Sequence, residues 1–313
     1  MDHNPISSIH LEPWRPQTVH VDETLTWPQS TQLMIDGHRP QVVVFQEPPP
    51  AHLDESPWGN DRQISEEHTI HDGGLNSGVV MVTAVFKDHL DQWGWTYGTG
   101  FIIDDHHVLT AGHNIWRNNT YRLARYIYIH RDCRSLSHDY HVDAGVVHFN
   151  WANGFSREND QALLHVSTPF SKGIKRIEYR QTSTLNTDGK VVTSGYPYDF
   201  PENRKGMWPA HLSHTESRAR YTVGDSFLRH WGHTENGNSG GPVVDSSSGE
   251  AIAVHTGVDC LSGLATAINR NGNDVEKCIN SISMSARLGP AGDLKVGKGV
   301  AFKYCGWSVA CFT

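Results

Sequence analysis

Only 26 Lys and Arg stand against 34 Asp and Glu, leaving a formal net charge of −8. A nucleic-acid-binding surface needs a Lys/Arg-rich face, so no nucleic-acid partner is expected. No apolar run approaches the length of a membrane span, so no membrane partner is expected either. The start, with Asp2 and His3 where a basic segment would stand, has no apolar core behind it and predicts no secretory signal. Cysteine is scarce: Cys133, Cys260, Cys278, Cys305 and Cys311 are an odd set, so at least one is unpaired within the chain. Cys260 with Cys278, and Cys305 with Cys311, are the pairings an oxidising compartment would allow; free thiols are the alternative, and the compartment stays open.

The chain has 313 residues, 37% of them apolar and 19% charged, with 29 Gly and 15 Pro. That balance suits a globular, loop-rich β protein rather than a helical or disordered one. Residues 1–55 lack sustained periodicity and run through Glu47-Pro48-Pro49-Pro50, which resists helix and central strand, so they read as a prosegment or linker. From Val79 onward the pattern becomes short apolar runs between polar turns: 79–86, 99–103, 107–110, 125–129, 162–166, 191–196, 242–244, 251–255 and 264–268. Many short, branched, turn-bounded runs predict an all-β fold, as barrels or a sandwich. One segment, about Asn273 to Ser281, reads as helix: Asn273 or Asp274 can cap it, and Val275, Cys278, Ile279 and Ile282 share a face. Residues 283–313 show no periodicity and are expected to form a C-terminal extension.

Three segments carry chemistry. In Gly237-Asn238-Ser239-Gly240-Gly241-Pro242 the glycines permit a tight turn that projects the Ser239 hydroxyl while the amides of Gly237 and Ser239 converge. Convergent amides stabilise the oxyanion that develops when a carbonyl is attacked. Leu109-Thr110-Ala111-Gly112-His113 sets a histidine just past a strand, at a turn of small residues. A near-neutral imidazole can take a proton from serine and return it to a leaving amine. Asp160-Gln161-Ala162-Leu163-Leu164 sets a carboxylate at the lip of an apolar strand, where it can orient that imidazole.

In this order the three motifs resemble the trypsin-like serine peptidase superfamily, over roughly Trp58 to Ile282. The resemblance implies two six-stranded β-barrels with a C-terminal helix, residues 56–282 as the peptidase domain, and a catalytic triad of His113, Asp160 and Ser239. It further implies Gly237 and Ser239 as the oxyanion hole, protein or peptide substrates, a monomer, and no cofactor or metal. A closer likeness is to glutamyl endopeptidases: Asn238 precedes the serine, Thr234 stands shortly upstream of it, and His255 ends the next strand. In that family the hydroxyl and the histidine bind an acidic side chain preceding the scissile bond. Asn60-Asp61-Arg62-Gln63-Ile64 resembles the segment just after the mature N-terminus, which implies zymogen maturation near residue 55. Asn114 stands where many relatives have cysteine, so the histidine loop is expected to be held by packing, and Asn238 cannot form the ion pair that activates trypsin proper.

The same residues admit other readings. Gly237-Asn238-Ser239-Gly240-Gly241 also fits the nucleophile elbow of α/β-hydrolases, but that fold needs a helix after the serine and a histidine last in order. A catalytically inactive, protease-like binding module would usually have lost one of the three residues. A metal hydrolase could use His68 with His71, or His138 with His141, although neither pair carries a His-Glu-x-x-His pattern.

Overall fold

The structure is a computed structural model. It describes residues 41–45, 75–87, 93–117, 124, 126–131, 140–183, 189–196, 213–224, 227–259, 261–288, 299–304 and 307–312. The first strand, β1 (Gln41–Phe45), precedes the barrels. Barrel one follows: β2 (Val79–Lys87), β3 (Trp93–Ile102), β4 (His107–Thr110), β5 (Tyr126–His130), β6 (Tyr140–His148) and β7 (Ala162–Val166). These pair antiparallel in the order β6-β5-β2-β3-β4-β7, and β7 returns to β6 to close the ring. A short helix, α1 (Phe149–Gly154), links β6 toward β7.

Barrel two is built from β8 (Gly189–Gly195), β9 (Ser213–Val223), β10 (Leu228–His230), β11 (Pro242–Asp245), β12 (Ala251–Val258) and β13 (Gly263–Ala267). Its closed order is β10-β13-β12-β11-β8-β9. The helix α2 (Val275–Leu288) follows, longer than the sequence pattern predicts. Its start is capped by Asp274, whose carboxylate accepts the Lys277 amide at 3.0 Å, and by Asn269, which accepts the Val275 amide at 2.9 Å.

The apolar runs of both barrels are nearly continuous because both faces of their strands are buried. Val80, Val82, Val108 and Leu164 fill the inside of barrel one. Their sequence neighbours Val79, Met81, Leu109 and Leu163 turn outward and meet Tyr196, Val244 and Val254 of barrel two. Val275, Cys278 and Ile282 of α2 close the same inter-barrel core, the helical face expected from spacing. Val191, Val243, Ile252 and Ala265 fill barrel two. Cys278 is a free, buried thiol, so it has no disulfide with Cys260; burial, then nearby Asp274, pushes its pKa up to about 12.

Within the two stretches expected to be irregular, strands form. β1 pairs with β6, Gln41 opposite His148, and with β15 (Trp307–Phe312), which is the second strand of a hairpin begun by β14 (Gly299–Tyr304). The run Val42-Val43-Val44 has the branched side chains that favour such pairing. Asn60–Ile64, the expected maturation site near residue 55, the histidines at 68, 71 and 138, and Cys133, Cys260 and Cys305 lie outside the described residues.

Candidate active site

At the end of β4 the chain turns through Ala111 into a single 3-10 turn, Gly112–Asn114, that carries His113. A Cβ on Gly112 would stand 2.8 Å from Trp151 Cδ1 and 3.1 Å from Asp160 Oδ1, so glycine lets the Asp160 carboxylate approach. Asp160 itself leaves another 3-10 turn, Arg157–Asn159, just before β7. Its Oδ1 accepts the His113 backbone N–H at 2.8 Å, and its Oδ2 accepts Nδ1–H of the ring at 2.8 Å. Two bonds to two oxygens fix the carboxylate plane. With Nδ1 committed as donor, the Nε2 lone pair is the one free to take a proton. The carboxylate is buried while the ring is partly exposed.

The Asp160 turn is held from barrel two by a reciprocal amide pair that the sequence pattern did not single out. Asn159 Nδ2 donates to Asn271 O at 2.8 Å and to Asn273 Oδ1 at 3.1 Å. Asn273 Nδ2 donates back to Glu158 O at 2.7 Å, and Asn150 Nδ2 of α1 fills Asn159 Oδ1 at 3.2 Å. Both asparagines are buried, and unpaired amides there would each cost about 1–3 kcal/mol.

Ser239 lies in a turn in which the carbonyls of residues 237 to 239 each accept a hydrogen bond. Thr99 Oγ1 donates to Gly237 O at 2.8 Å, Gly241 N to Asn238 O at 2.9 Å, and Thr99 N to Ser239 O at 2.8 Å. Gly237 and Gly240 have φ of 94° and 95°, a left-handed backbone that favours glycine. The amides of Asn238, Gly240 and Gly241 donate to backbone carbonyls. Those of Gly237 and Ser239 are the pair expected from sequence to serve as oxyanion donors, and both are left without an acceptor among the described residues. The Ser239 hydroxyl and His113 Nε2 are not hydrogen-bonded to each other here. Their turns are joined instead through Asn114, whose Nδ2 donates to Ser239 O at 2.9 Å. The expectation that packing alone holds the histidine loop is therefore incomplete: Asn114 supplies a polar tie.

His255 meets the serine turn directly. Its N–H donates to Gly241 O at 2.8 Å and its carbonyl accepts Gly240 N at 2.7 Å. The side chain is buried, with Nδ1 3.1 Å from Nε2 of His230 on β10. The Gly232 N–H donates to His230 Nδ1 at 3.3 Å, which makes that nitrogen an acceptor. The tautomers then follow in series: His230 carries its proton on Nε2, donates to His255 Nδ1, and leaves His255 with a donor at Nε2. Burial holds the His230 pKa down to about 4. Burial, then His230 and His113, hold that of His255 well below the ordinary imidazole value. Thr234 Oγ1, on the segment leading to Ser239, is buried without a partner among the described residues. His230 was not singled out by sequence, being one of 21 histidines, on a strand of three residues.

Among the described residues no group of three His, Cys, Asp or Glu could hold a metal ion. The serine turn runs into strand β11, not into a helix, which excludes the α/β-hydrolase elbow.

Two closed antiparallel barrels, with a histidine–aspartate pair on one and a serine turn from the other docked beside it, define a two-barrel serine hydrolase. The family profile described as Trypsin matches residues 85–273, more than half of the sequence, and the chain belongs to that family of serine peptidases. Among solved structures, a Glu endopeptidase in complex with MPD shares 16% identity over 67% of this chain and 92% of its own, with a TM-score of 0.49. The active form of the Rv3671c protease from M. tuberculosis shares 19% identity over 65% of this chain and 81% of its own, with a TM-score of 0.44. No curated protein matches the chain.

Proposed function

We propose that this chain is an endopeptidase in which Ser239 is the nucleophile, His113 the general base and Asp160 the group that orients it, with a preference for Glu or Asp before the scissile bond. The observation that carries the reading is the doubly bonded His113–Asp160 pair, with both contacts at 2.8 Å. His113 Nε2 takes the hydroxyl proton as Ser239 Oγ attacks the peptide carbonyl. The imidazolium that forms is stabilised by Asp160, and the oxyanion is held by the amides of Gly237 and Ser239. His113 then protonates the leaving amine, an acyl-enzyme remains, and water hydrolyses it by the same route in reverse.

The preference rests on His255 and Thr234. A carboxylate buried beside the serine turn needs donors, and the tautomer series delivers an N–H at His255 Nε2 with a hydroxyl at Thr234. A bound carboxylate would raise the His255 pKa and convert that bond into a charge-assisted one. The test compares matched peptides with Glu, Gln, Lys and Phe before the cleaved bond, together with Ser239→Ala. Cleavage after Glu that vanishes in Ser239→Ala is the expected result. Preference for Lys or Phe would remove the roles of His255 and Thr234, and turnover surviving in Ser239→Ala would remove the nucleophile.

A further inference from the structure

The histidine turn and the serine turn belong to different barrels, and hydrolysis as proposed above requires them to keep a fixed height relative to each other. Asn114 is the side chain that spans them. It is 2% exposed, its Nδ2 donates to Ser239 O and to Thr110 Oγ1 at 2.9 Å each, and Thr110 Oγ1 passes a bond on to Thr99 O at 2.6 Å. Because Thr99 N also donates to Ser239 O at 2.8 Å, that carbonyl has both lone pairs filled from barrel one. The slot for the amide is built by two glycines: a Cβ on Gly98 would overlap the Asn114 carboxamide, and one on Gly240 would lie 2.9 Å from its Nδ2. Asn114 also follows His113 directly and closes its 3-10 turn, its own N–H donating to Ala111 O at 3.1 Å. One short turn therefore carries both the imidazole and the amide that grips the serine backbone.

We propose that Asn114 is a positioning residue for the reaction, setting Ser239 against His113 across the barrel boundary; the inference rests on the serine-peptidase reading. Without its amide, Ser239 O keeps the Thr99 N–H and Thr110 keeps the Thr99 carbonyl, so the fold retains its other ties. What is lost is the link on the histidine side. The consequence falls on turnover more than on substrate affinity, because misplacement of a reacting group by about 1 Å costs on the order of a hundredfold in rate.

The experiment uses the full chain with Asn114→Leu, which keeps the volume and removes the donors, and Asn114→Asp, which keeps the shape. Three quantities are read: the rate at which a fluorophosphonate labels Ser239, kcat and KM on a peptide ester, and the thermal midpoint. Asn114→Leu is expected to label and turn over about 10- to 100-fold more slowly, with KM little changed. In Asn114→Asp the side chain can donate to Ser239 O only when protonated. Its kcat/KM relative to wild type at each pH should therefore rise from mildly alkaline to mildly acidic conditions, a change that a purely structural defect would not produce. Wild-type labelling by Asn114→Leu overturns the proposal. Should that variant not fold, a pH-independent ratio for Asn114→Asp overturns it instead. Wild-type enzyme that the fluorophosphonate does not modify at Ser239 would sink the serine-peptidase reading itself, so the two failures are distinguishable.

Discussion

Gly263→Ala is a probe of the proposed acid-binding pocket that leaves His255, Thr234 and His230 themselves unsubstituted. Gly263 pairs with His230 across β10 and β13, and the His230 ring lies over the bare glycine backbone. An added Cβ would overlap Cε1 and Nε2 of that ring and stand 2.9 Å from Nδ1. The φ of Gly263 is not among the left-handed ones, so the penalty is contact rather than backbone strain. His230 is fully buried and cannot swing into solvent; its ring must retreat by roughly 1 Å to regain ordinary contact distance. The bond to His255, 3.1 Å in the native chain, then opens beyond hydrogen-bonding range. Losing a bond between buried groups costs about 1–3 kcal/mol, and overpacking a filled site adds about 1–3 kcal/mol. Stability should fall by that combined amount, read in a denaturant melt. More specifically, His255 loses the partner that fixes its tautomer, so kcat/KM on a Glu peptide should fall about 10- to 100-fold, the equivalent of roughly 1.4–2.8 kcal/mol. A matched Gln peptide should lose much less. An unchanged Glu-to-Gln ratio, with the loss of stability present, would refute the reasoning that His230 acts through His255.

Acid stability follows from the same pair. With a folded-state pKa of about 4 against an ordinary 6.5, His230 binds a proton in the unfolded chain but not in the folded one between those values. Stability should therefore fall as pH drops through that window, by on the order of 3 kcal/mol from this residue, with His255 acting in the same direction. Urea melts across the window check it, and a profile that His230→Phe leaves unchanged would contradict it. Gly240→Ala would drive a Cβ into the Thr99 carbonyl and the Thr110 hydroxyl at a φ of 95°, so the barrels cannot dock as they do. A lowered thermal midpoint and loss of fluorophosphonate labelling are expected, and wild-type labelling would count against the described packing at the boundary.

Strands that are buried on both faces were legible as letters, because each carries a run of consecutive apolar residues, Val108-Leu109 in one and Ala162-Leu163-Leu164 in another. The run 107–110 and the run 162–166 appear in the structure with the boundaries expected. Strands with a polar or broken pattern were not legible: β9, Ser213–Val223, alternates His, Glu and Arg with small residues, and β6 interrupts its apolar run with Asp143 and Gly145. Such segments become strands because neighbouring strands offer them a ladder, information that no local window contains. The strand at 41–45 depends in the same way on β6, and those at 299–304 and 307–312 on each other and on β1.

The site divides along the same line. Sequence alone determined the residue types that acyl transfer needs and the glycines that permit their turns, because left-handed backbone and close approach leave a local mark at Gly112, Gly237 and Gly240. Tertiary structure alone decided which polar groups hold those turns in place. Asn114 reaches Ser239 across 125 residues, Asn159 reaches Asn273 across 114, and His230 reaches His255 across 25. A buried amide or imidazole is defined by its partner, and a partner brought in by the closure of a second barrel leaves no trace beside it in the chain.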